Sequence, residues 1–77
     1  MTQLGNNLIP LRTPSDIGAL VKRRRKTLGL SQMALADQAG VGRRFLIELE
    51  DGKSTAQIGK VLCVLSMLGI AVMASES

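Results

Sequence analysis

With 77 residues and a net charge of +4 at pH 7, the chain has room for one small domain and a bias toward anionic partners. It contains no histidine, which excludes a histidine metal site or general base, and its single cysteine, Cys63, excludes an internal disulfide. Apolar residues make up 45% of it, a large share for a length that buries little surface alone, so oligomerisation is expected to complete the core.

Residues 1–12, MTQLGNNLIPLR, have no helical period and read as a flexible N-terminal arm. The arm either carries Arg12 to a phosphate or is simply a disordered start. Thr13-Pro14-Ser15-Asp16 then begins a helix: Thr13 caps, Pro14 fits the first helical position, and Asp16 puts an acid in the first turn. This helix is expected to run to about Leu28, with Gly29 as its stop. Ile17, Leu20, Val21 and Leu28 form its apolar stripe; Arg24 falls within that stripe and Arg25 at its edge. Five consecutive bases, Lys22 to Lys26, read together with Arg43-Arg44 as a phosphate-facing surface.

Ser31 is a good cap for a second helix, Gln32 to Ala39, with Leu35, Ala36 and Ala39 inward. Gly40 ends it in the left-handed conformation that glycine adopts cheaply. Val41-Gly42 make a turn, and a third helix runs from Arg43 to about Glu50. At about 100° per residue, Arg43, Arg44, Ile47 and Glu48 fall on one side of it and Phe45, Leu46, Leu49 and Glu50 on the other. Two short helices joined by a tight glycine-containing turn form a helix-turn-helix, and the first set of side chains suits base edges. Arg43 and Arg44 match guanine O6 and N7 or a phosphate, Glu48 a cytosine amino group, and Ile47 a thymine methyl. Phe45 is assigned to packing. Lys53, after the turn, is a phosphate ligand, and the start of the second helix offers free amides to another phosphate.

A fourth helix is expected from near Thr55 to Leu68. Its stripe Ile58, Val61, Leu62, Leu65 and Leu68 serves the domain core, and Cys63 reads as a small core residue of a reducing compartment. Val64 and Met67, on the other side, are assigned to the same helix of a twofold mate. The tail Ile70-Ala71-Val72-Met73 reads as a short strand, with Ile70 and Val72 at a dimer interface, because a lone edge strand needs another chain to pair with.

Ser31-Gln32, Leu35-Ala36, Gly40-Val41, Leu46, Leu49-Glu50 and Gly52-Lys53 resemble the helix-turn-helix of the XRE/Cro–repressor family. Thr13-Pro14 and the stretch Gly52 to Leu62 are most similar to HipB-type antitoxins, partners of HipA-type kinase toxins. The resemblance covers about residues 13–73. It implies an all-α, lambda-repressor-like domain of four to five helices over residues 13–69, followed by a C-terminal strand and tail over 70–77 shared in a dimer. It also implies an ion pair between Arg25 and Glu50, although the family more often has an apolar residue at Arg24, which leaves open which arginine meets Glu50. Ser31 and Gln32 are placed at a backbone phosphate, with Gln32 also near the first bases. Gly42 stands where the family has a polar cap, so backbone amides replace that phosphate contact.

The expected function is a sequence-specific repressor, a homodimer on a palindromic double-stranded operator. Through the HipB resemblance it is also an antitoxin that binds a HipA-type serine/threonine kinase and represses its own operon. A stand-alone XRE-family regulator is the nearest alternative, and an interaction module of the same fold without DNA binding the next. No nucleophile–base pair, carboxylate pair or metal set stands at a workable spacing, so neither an enzyme nor a cofactor nor a small-molecule substrate is expected. With no signal peptide and an apolar run broken at Ser66 and Gly69, a cytoplasmic, nucleoid-associated protein is expected, without a membrane partner.

Overall fold

The computed structural model describes residues 8–76 of the chain; the first seven residues of the expected arm and Ser77 lie outside the described residues. Four helices follow one another: α1 (Pro14–Thr27), α2 (Gln32–Ala39), α3 (Arg43–Glu50) and α4 (Ile58–Met67). The start of α1 is fixed by a reciprocal cap. Thr13 Oγ1 accepts from the Asp16 amide at 3.1 Å, while the Asp16 carboxylate accepts from the amides of Thr13 at 3.1 Å and Arg12 at 2.8 Å. The Arg12 amide is the chief cause that holds the Asp16 carboxyl below its ordinary value.

All four helices stop by one device. A glycine at positive φ follows the last turn, and the amide after it reaches back to a carbonyl: Leu30 to Arg25, Val41 to Ala36, Lys53 to Glu48, and Ile70 to Leu65. Leu30, Val41 and Ile70 also pack on the core, so the stops of α1, α2 and α4 are fixed by a hydrophobic contact as well. At Gly40 (φ 70°) this turns the chain between α2 and α3 within the three residues Gly40, Val41 and Gly42.

The core is one cluster: Val21 from α1, Leu35 and Ala36 from α2, Leu46 and Leu49 from α3, and Val61, Val64, Leu65 and Leu68 from α4 and its cap. α1 packs on α3, and α2 packs on both α3 and α4. The crossing of α1 over the end of α3 is very close at Gly18. A Cβ there would overlap the Leu49 carbonyl oxygen and lie 2.8 Å from that of Glu50.

Several expectations change at this level. The buried face of α4 is Val61, Val64, Leu65 and Leu68, whereas Ile58 (67% exposed) and Leu62 (45%) face outward. Val64 is completely buried in its own domain and therefore is not an interface residue. Cys63 is exposed rather than a core residue. A helix apolar nearly all round gives two plausible stripes, and the 61, 64, 65, 68 spacing is the one that meets α2. Leu28 leaves the stripe of α1 because it is the C-cap, and Leu30, two residues later, packs in its place. α4 starts at Ile58, not near Thr55, because Gln57 is extended (ψ 121°) and Ser54-Thr55 form a turn. Residues 70–76 have no regular secondary structure in the single chain, where a strand over 70–73 has nothing to pair with. No helix among the described residues is long and apolar enough to cross a membrane.

Candidate nucleic-acid interface

The two short helices α2 and α3 present the polar side chains singled out above, and α1 fixes α3 from behind. Arg25 reaches from α1 to the last residue of α3, where its Nε donates to Glu50 Oε2 at 2.7 Å and its Nη2 to Oε1 at 3.0 Å. Nη1 donates to the Leu30 carbonyl at 2.9 Å, so all three guanidinium nitrogens are used. The two side chains are 9% and 2% exposed, and the hydrogen bonds that Arg25 donates to Glu50 raise the Arg25 pKa above its ordinary value. Arg24 does something else: its Nε donates to the Leu68 carbonyl at 3.0 Å and closes the end of α4. Two of the five consecutive bases are thus structural, which leaves Lys22, Arg23 and Lys26 exposed. A run continuous in sequence is not one continuous charged surface, because a helix distributes five successive residues round its whole circumference.

Glu50 has a third donor. Gln32 Nε2, at the first position of α2, lies 3.0 Å from Glu50 Oε1. One carboxylate therefore ties together α1, α2 and α3, and no buried side-chain polar atom among the described residues lacks a partner. Gln32 is half-buried, with one amide hydrogen committed to this network. No periodicity in the sequence signals that contact. Beside it, Ser31 caps α2 by accepting from the Ala34 amide at 3.0 Å, so its exposed hydroxyl keeps its own hydrogen to donate.

On α3, Arg43 and Arg44 are exposed, and Ile47 and Glu48, one turn on, are half-exposed. Gly42 caps the helix without a side-chain bond, so the first amides of α3 are uncovered. Arg43 has no ion pair among the described residues, whereas Glu48 has two: Lys53 Nζ at 2.9 Å and, more loosely, Arg44 Nε at 3.6 Å. The Lys53 hydrogen bond first, and the nearby Arg44 charge after it, hold the Glu48 carboxyl below its ordinary value. Phe45 turns inward to the edge of the core, and Lys60 of α4 stands 5.6 Å over its ring. A cation-rich helix face with free hydrogen-bonding ends, held on a rigid scaffold, suits the grooves and phosphates of a duplex.

No family model matches the sequence. The chain is 58% identical over 62 residues to an uncharacterized HTH-type transcriptional regulator of Sinorhizobium fredii, y4mF, across 80% of this chain and 82% of that protein. The chain belongs to the HTH-type transcriptional regulators. Solved structures similar to this regulator include a HipB–O4 20mer complex, with a TM-score of 0.81 and 16% identity over 91% of this chain and 99% of that one. A HipA–HipB–O2–O3 complex contains another, with a TM-score of 0.82 and 16% identity over the same shares. At that identity the likeness is one of fold: the four helices of this HTH-type regulator take the HipB arrangement. Membership of the HTH-type transcriptional regulators makes DNA-binding regulation its function at the coarse level.

Proposed function

We propose that this regulator is a homodimeric, sequence-specific repressor that reads a palindromic operator with α3. The observation that carries this is the solvent face of α3, where Arg43, Arg44, Ile47 and Glu48 project together beside the capped start of α2. Arg43 and Arg44 donate to guanine, Glu48 accepts from a cytosine amino group and Ile47 meets a thymine methyl. Ser31, the second amide hydrogen of Gln32, the uncovered amides after Gly42, and Lys53 hold phosphates. In the dimer, the exposed Met67 and Val72, with half-buried Ile70 between them, face the second copy, and the two α3 helices enter successive major grooves about 34 Å apart.

The second half of the proposal is that the protein is the antitoxin of a HipA-type kinase and represses the operon that encodes both. The fold shared with the HipB of the HipA–HipB–O2–O3 complex supports this half. Two experiments test the two halves separately. Binding to the DNA upstream of its own gene, titrated against salt beside an unrelated duplex, should give a specific site bound by a dimer far more tightly than the control. Equal, weak, salt-sensitive binding to both duplexes would reject the repressor. Co-expression with a HipA-type kinase from the same operon should yield a stable complex with lowered kinase toxicity. Operator binding without such a complex would leave a stand-alone regulator.

A further inference from the structure

Glu48 is an acid on a surface built to meet phosphates, and the two cations nearest to it are the ones its own carboxylate holds. Lys53 Nζ lies 2.9 Å from Oε1 and Arg44 Nε 3.6 Å from Oε2, so a single side chain occupies both partners with separate oxygens. The arrangement is exposed enough to open: the Arg44 side chain is 90% exposed, that of Lys53 48%, and that of Glu48 35%. Arg43, one residue earlier, has no such partner among the described residues. The basic residues of the DNA-facing surface are therefore of two kinds, one free and two restrained.

We infer that Glu48 is a specificity-determining brake: in the free protein it withholds Arg44 and Lys53 from phosphates, and only a duplex with matching bases releases them. On an arbitrary duplex, phosphates must compete with the Glu48 carboxylate for both cations and also approach its negative charge. On the operator, Glu48 accepts from a cytosine amino group, and that contact compensates for the lost pairs while Arg44 and Lys53 move to their own DNA partners. The brake thus lowers non-specific affinity without an equal loss at the specific site, which is discrimination by a built-in penalty against the wrong partner. The inference rests on the DNA-reading role proposed for α3.

The test is Glu48→Gln, which keeps the shape and removes the charge. Two exposed ion pairs, each holding a factor of about 1.4 to 5, predict that affinity for an unrelated duplex rises about 2- to 25-fold at low salt. The gain should shrink as salt is raised, because these pairs are screened. It should also shrink in the double variant Glu48→Gln, Lys53→Gln relative to Lys53→Gln alone. The ratio of operator to unrelated affinity should fall by more than the unrelated affinity rises. Unchanged or weaker binding of the variant to the unrelated duplex would overturn the brake and leave Glu48 a base reader only. Because that arm needs no operator, it is separate from the DNA-reading role, which fails instead if the unaltered protein shows no preferred site.

Discussion

Helix α3 carries two glutamates two residues apart, and their surroundings are opposites. The Glu50 side chain is 2% exposed and accepts three hydrogen bonds, two from Arg25 and one from Gln32. Glu48 is 35% exposed and is shared by two flexible cations. The same carboxylate is thus a fixed joint at the inner end of the helix and a movable charge on its outer face. Burial and geometry set the role, since desolvation makes the inner pair costly to break while solvent makes the outer pairs cheap to exchange.

The largest expected effect comes from breaking the inner joint. Glu50→Ala should cost about 3–5 kcal/mol, because Arg25 is left as a buried charge with no counterpart. Chemical denaturation would measure it, and a loss no larger than that of Glu48→Ala, expected within about 0.5 kcal/mol, would erase the distinction between the two sites. Gly18→Ala tests the same junction through sterics rather than charge. Its methyl group meets the Leu49 and Glu50 carbonyls, so the loss should be about 1–3 kcal/mol, although alanine is the better helix former. A stabilised variant would mean that α1 and α3 are not held as closely as the joint requires.

The smallest effect is a pH dependence outside both sites. The Asp16 carboxyl titrates below its ordinary value when folded, so the cap it forms stabilises the fold above the unfolded-state value of 3.8. That contribution is lost as the pH falls through the lower, folded-state value. Melting curves between neutral and strongly acidic pH should therefore converge for the parent and Asp16→Asn at the acid end, and differ above it. Curves separated by the same interval throughout would show that the charge contributes nothing.

The ends of α2 and α3 were legible because capping is local: Ser31, Gly40 and Gly42 declare themselves within a few residues. The outer face of α3 was legible too, since helical period alone separates Arg43, Arg44, Ile47 and Glu48 from Leu46 and Leu49. The orientation of α4 was not. Its polar residues are too few to mark an outer face, so Val64 was assigned outward and Leu62 inward, the reverse of what packing on α2 requires. The choice between Arg24 and Arg25 was equally hidden. Both have stems long enough to cross apolar surface, and only the position of the α4 terminus sends Arg24 to Leu68 and leaves Arg25 for Glu50. Gln32 was read as a DNA contact only, because a bond to a carboxylate 18 residues away leaves no local trace.

The central claim is that α3 is held by its inner face and reads DNA with its outer one. The most direct measurement compares the parent with Arg43→Ala and Arg44→Ala for melting temperature and for binding to the operator and to an unrelated duplex. Each variant should keep its melting temperature, lose about 1–3 kcal/mol of operator affinity and discriminate less well between the two duplexes. Undiminished operator binding, or a loss of the same size on both duplexes, would contradict base reading by this face.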